Sequence, residues 1–176
     1  MRGETALERR SWRFWLSGIL LLAAQIVTNV WLVTEATPLG MSDHQAAGNA
    51  VRVEAIHAGW TATGVLDLAI YSMELDLIFI AVYAWGAFAG GRMFAASSHA
   101  MLARLGKVIM VAALGFALAD YAETISQLIQ AAVTGGHDML ATVAAAARPI
   151  KMILFLVTFF GVLVALAIRS LKSRAA

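Results

Sequence analysis

Asp120 and Glu123 stand one helical turn apart in Ala117-Leu118-Ala119-Asp120-Tyr121-Ala122-Glu123-Thr124, inside a run otherwise apolar enough to cross a membrane. Arg148, Pro149 and Lys151 follow near the start of the next apolar run. A carboxylate can hold or pass a proton or ligate a cation, and a lysine can neutralise one or hold an anion. Charged groups at membrane depth are costly without partners. The expected arrangement pairs Lys151 with Glu123 and hydrogen-bonds Asp120 nearby.

Helical rise brings further polar groups to the same level. At about 1.5 Å per residue, Glu123 lies about 24 Å from Lys107, Lys151 about 27 Å from Arg169, and Asn29 about 24 Å from Arg13. Glu74 and Asp76 lie about 24–27 Å from Arg92 on the same count. That level is the outer third of a hydrocarbon core about 30 Å thick. Asp120 falls a turn deeper, while Tyr71 and Arg148 fall near the outer surface. Asp120, Glu123, Gln127 and Gln130 recur at three- and four-residue steps and form one stripe. Asp67, Tyr71 and Glu74 share a face, and Asp76 is about 200° away from Glu74 around the helix.

The candidate binding residues are therefore Glu74, Asp120, Glu123, Lys151, Arg148, Tyr71 and Asn29. The acids Glu74, Asp76, Asp120 and Glu123 outnumber the bases Arg148 and Lys151. In a low dielectric that excess must be protonated, hydrated or matched by a bound cation. His57 is the one metal candidate, with Glu74 as a second ligand. No H-E-x-x-H spacing occurs, so neither a metal nor any other cofactor is expected. No histidine falls within a predicted span, which argues against a haem held between helices. The chain has no cysteine, which excludes thiolate ligands, cysteine nucleophiles and disulfides.

These residues are positioned by four apolar blocks. The 176 residues are 61% hydrophobic and 14% charged, and the apolar excess is concentrated rather than spread. The pattern predicts an all-α integral membrane four-helix bundle, a single domain over 1–176. Its spans are about 14–34, 63–90, 103–133 and 139–170. The first block is too long for a signal-peptide core and lacks a cleavage site, so it reads as a retained helix. Residues 35–62 form an outer loop in which Ser42-Asp43-His44-Gln45 has a capping-box form, predicting a surface helix over roughly 43–58. Residues 91–104 read as a polar turn, and Pro149 predicts either a kink or a fresh helix start.

Charge bias orients the spans. Arg2, Arg9, Arg10 and Arg13 precede the first, Arg92, Arg104 and Lys107 surround the second loop, and Arg169, Lys172 and Arg174 follow the last. The positive-inside rule then places both termini in the cytoplasm. A pI near 9.3 would suit a nucleic-acid binder, but the bases cluster at span ends, so no nucleic acid is expected. The expected partner is the lipid bilayer. Gly86 and Gly90, four residues apart, predict a close helix contact, either internal or in a homo-oligomer or larger membrane complex.

The segments LADYAETISQL and ARPIKMILFLVTFFGVLVAL resemble a group of small four-helix bacterial membrane proteins of unassigned function. That group carries Asp-x-x-Glu-Asn in the third helix and a lysine in the fourth. Asp120, Glu123 and Lys151 match, Thr124 replaces the Asn, and Pro149-Ile150-Lys151-Met152 departs from Leu-Leu-Lys-Trp. The resemblance implies a multi-pass protein of the bacterial inner membrane and no particular activity. Two function classes follow from the residues: a carrier or sensor for a cation, proton or small polar solute, or an accessory subunit whose buried ion pairs fix helix packing. An enzyme is the weakest reading, because no nucleophile–base pair appears.

Overall fold

The computed structural model describes residues 6–175. Among them the chain is helical throughout, with no strand. Its helices are α1 (Ala6–Asn29), α2 (Met41–Gln45), α3 (Ala50–Ala62), α4 (Leu66–Ala95), α5 (Ala100–Ile129) and α6 (Asp138–Ala175). A 3₁₀ turn, Val30–Leu32, extends α1, and a π-helical turn, Gln130–Thr134, closes α5. Glu8–Leu32, Leu66–Ala95, Ala100–Thr134 and Asp138–Leu171 are each long and apolar enough to cross a membrane. Arg2 and the side chains of Lys172 and Arg174, used above as topology signals, lie outside the described residues.

Element boundaries depart from the sequence reading in three places. The turn expected over 91–104 shrinks to residues 96–99, because α4 runs to Ala95 and α5 starts at Ala100. The surface helix expected over 43–58 is two helices. Gly48, at φ 72°, ends the first, and Asn49 caps the second by accepting the Arg52 amide at 2.9 Å. Ser42 caps nothing; Asp43 instead accepts the Leu39 amide at 2.7 Å. An Asn in extended conformation with a free side-chain oxygen is the stronger N-terminal signal. Finally, α6 passes through Pro149 without a break. Pro149 is exposed, and its ring leaves only the Ala145 carbonyl without its helical donor.

The chain divides into two compact units. Unit 1 comprises Met1–Ile19, Ala81–Ala117 and Lys151–Ala176. Here Gly86 lies against the backbone of Trp15, where any side chain on Gly86 would collide. Ser11 Oγ donates to the Gly86 carbonyl at 3.1 Å, and Gly90 sits against the same serine. The Gly86–Gly90 face is thus occupied by α1 of its own chain, because small residues let two backbones approach. Tyr83 packs between Phe116 and Phe155, with ring centroids 5.3 and 5.1 Å away, and its hydroxyl meets Thr158 Oγ1 at 2.9 Å. Arg169 binds Glu8 at 2.5 Å.

Unit 2 comprises Leu20–Ile80 and Leu118–Ile150. Its apolar centre is Leu32, Ile56, Trp60 and Ala69, with Met41, Val65 and Leu68 packed around them. Trp60 is fully buried, and its Nε1 donates to the Leu32 carbonyl at 3.0 Å and to Thr37 Oγ1 at 3.2 Å. A buried indole N–H left without an acceptor would cost about 1–3 kcal/mol, so the 30–40 segment must follow α3 closely.

Candidate functional site: the polar stripe of α5

Asp120, Glu123, Thr124, Gln127 and Gln130 occupy one face of α5 in unit 2. Their exposures are 2, 0, 1, 2 and 1%, so the whole stripe points inward. The three- and four-residue steps that suit a helix interior here carry carboxylates and amides instead of leucines. Asp120 and Glu123 each hold a polar interaction. Thr124 Oγ1 donates to Asp76 Oδ2 at 2.6 Å, which ties α5 to α4 through a charge-assisted bond. Tyr121 adds a bond to the Leu77 carbonyl at 3.2 Å. Gln127 Nε2 is buried with no hydrogen-bond partner among the described residues. Gln130 fastens the end of the helix: its Nε2 donates to the Ser126 carbonyl at 3.1 Å, and its Oε1 accepts the His137 amide at 3.1 Å.

The other sequence candidates are sorted by this geometry. Glu74 and Tyr71 point outward on α4, with Tyr71 65% exposed; the acid of α4 that turns inward is Asp76. Rotation about the helix axis decides this. Ala69, Ser72, Met73, Phe79 and Ile80 form the buried face of α4, and Asp76 falls in that series while Glu74 does not. The spacing of the buried apolar residues carried this signal; the spacing of the acids alone did not. Asn29 is also removed from the site. Its Oδ1 accepts the Met41 amide at 2.7 Å, and Gly40, at φ 61°, makes room for it, so Asn29 secures the turn into α2. Arg148 is half-buried in unit 2. Lys151 opens the α6 segment of unit 1, where it is 8% exposed and engaged in a polar interaction.

His57 does not approach a carboxylate set. Its Nε2 lies 3.0 Å from Nε2 of His44, which is 2% exposed. Among the described residues no three His, Asp or Glu side chains gather as metal ligands. Burial, with the neighbouring His57 adding to it, pushes the pKa of His44 down to about 3. Burial also lowers that of His57, against a smaller upward pull from Glu54.

Charge is segregated between the units. Among the described residues, unit 2 holds nine of ten Asp and Glu residues, whereas unit 1 holds ten of twelve Lys and Arg residues. The acid stripe of α5 therefore sits in a unit with only Arg52 and Arg148 as bases.

Fold and site together define a class: an all-helical protein with four membrane-length helices and a buried carboxylate–amide stripe on one of them. No protein family, curated protein or solved structure matches the chain.

Proposed function

We propose that this is a multi-pass protein of the bacterial inner membrane, with cytoplasmic termini, that binds or carries a proton, a cation or a small cationic polar solute. The site is the unit-2 interior formed by Asp76, Asp120, Glu123, Thr124 and Gln127. The observation that carries the reading is that five polar side chains along one face of a membrane-length helix are all buried. Apolar residues would fill that interior at lower cost, so the polar face calls for a use. The acid excess of unit 2 selects positive over negative ligands. Orientation rests on the bases that flank the N-terminus, the α4–α5 turn and the C-terminus.

The test is thermal stability of the purified protein across pH and a panel of Na⁺, K⁺, Mg²⁺, Ca²⁺ and small organic ammonium ions. A ligand at a hundred times its Kd stabilises by about 2.7 kcal/mol, enough for a clear rise in melting temperature. At least one condition should stabilise wild type, and Glu123→Gln should abolish that response. A wild type indifferent to every ion and to pH would overturn the proposal.

A second reading, an accessory subunit of a larger membrane complex, is favoured by the strip on α4 formed by Asp67, Tyr71 and Glu74, all exposed. Carboxylates on the outer face of a span favour a polar partner or water over lipid.

A further inference from the structure

The α2 segment is held to α3 by a contact between two histidine rings. His44 and His57 meet Nε2 to Nε2 at 3.0 Å, with ring centroids 5.0 Å apart, and both lie beside Trp60. A bond between two ring nitrogens requires one to carry hydrogen and the other to be bare. The other nitrogen of His44, Nδ1, is buried and has no partner among the described residues. An orphaned buried N–H is costlier than an orphaned acceptor, so the favoured tautomer leaves Nδ1 bare. His44 then donates from Nε2, and His57, which is half-buried, accepts and carries its own hydrogen on Nδ1.

We propose that this histidine pair is a proton-operated latch, closing the α2 segment over α3 near neutral pH and releasing it in acid. A single added proton is sufficient. Protonating His57 places hydrogens on both facing nitrogens and breaks the bond. Moving the His44 proton to Nδ1 would restore it, but only by burying an N–H that nothing accepts. What α2 covers is the Leu32–Ile56–Trp60 cluster, against which Met41 and Ala47 pack, so release exposes an apolar surface.

The surrounding charges do not compensate the added proton. On α2, Asp43 is committed to the Leu39 amide and lies 3.8 Å from Arg52. On α3, Arg52 also donates to the Ala36 carbonyl, and Glu54, one turn before His57, is exposed. Asp138, at the start of α6, is occupied by the Ala50 amide. Glu35 and Asp67 are exposed, and the 30–40 segment and α4 present Leu32, Thr37, Leu66 and Ala69 to the cluster.

The sign follows from the two lowered affinities. In the open segment both rings titrate near the ordinary value of about 6.5. In the closed one both bind protons less readily. The latch therefore holds fully above about pH 6.5 and weakens as pH falls below it, by about tenfold in the closed-to-open ratio per pH unit for each ring that gains a proton on opening.

Hydrogen–deuterium exchange of the full-length protein in lipid nanodiscs, corrected for the intrinsic pH dependence of exchange, reads this ratio. Between pH 6 and pH 4.5, peptides covering 39–47 should lose protection by more than tenfold and up to about a hundredfold per pH unit, while peptides covering 81–95 stay unchanged. His57→Gln keeps an acceptor that cannot take a proton at these pH values and leaves His44 alone to gain one on opening, so the slope should fall to about tenfold per pH unit. Unchanged protection of 39–47, a uniform loss along the chain, or a wild-type slope in the variant would each overturn the proposal. None of these outcomes depends on whether the α5 stripe binds a cation.

Discussion

The bond from Thr124 to Asp76 offers the sharpest mutational test of the α5 stripe. Thr124→Val keeps the shape of the side chain and removes the donor. The lost bond is 2.6 Å long, ends on a carboxylate and starts from a hydroxyl that is 1% exposed. Hydrogen bonds to charged groups contribute about 1.5–3 kcal/mol, and the near-complete burial of Thr124 favours the upper part of that range. In an Asp76→Ala background the same replacement should cost close to nothing, because the freed hydroxyl can bond the carbonyl four residues earlier. The coupling energy of the double-mutant cycle should therefore be about 1.5–3 kcal/mol. Reversible unfolding in mixed micelles titrated with SDS measures it. Additive effects, with Thr124→Val costing under about 0.5 kcal/mol in both backgrounds, would refute the view that α4 contributes its acid through Asp76.

Two further substitutions probe the frame. Gly86→Leu drives a side chain into the Trp15 backbone and should cost about 3 kcal/mol or more, leaving oligomeric state unchanged by light scattering; a changed subunit count at unchanged stability would return that face to an intermolecular role. Lys151→Met keeps volume and removes a buried charge. Leaving the polar partner of that buried ammonium unmatched should make unfolding easier by about 3–5 kcal/mol, and a neutral or stabilising effect would show that the charge is dispensable for folding.

Much of the frame was legible because apolar periodicity and length are strong signals. The four long helices each contain or overlap a predicted span, and the α5 stripe followed directly from residue spacing. Positions set by tertiary geometry were not legible. Glu74 and Asp76 are two residues apart on one helix, and only the phase of the neighbouring buried residues tells which one faces inward. The Ser42–Gln45 pattern lost to Asn49 because Gly48, in the left-handed region, resets the chain before α3. Asn29 matched the expected depth, yet its side chain was claimed by the turn at Gly40. His44 and His57 belong to different helices, and nothing in their sequence separation announced that they touch.

The claim on which this account rests is that carboxyl groups of the α5 stripe exchange a proton or cation. Infrared difference spectroscopy of the protein in lipid, recorded as pH or cation concentration is stepped, reports carboxyl protonation and carboxylate coordination directly. The account predicts a carboxyl signal that responds to the step in wild type and disappears in Glu123→Gln. A spectrum identical in both proteins at every step would contradict it and leave the stripe as a packing device.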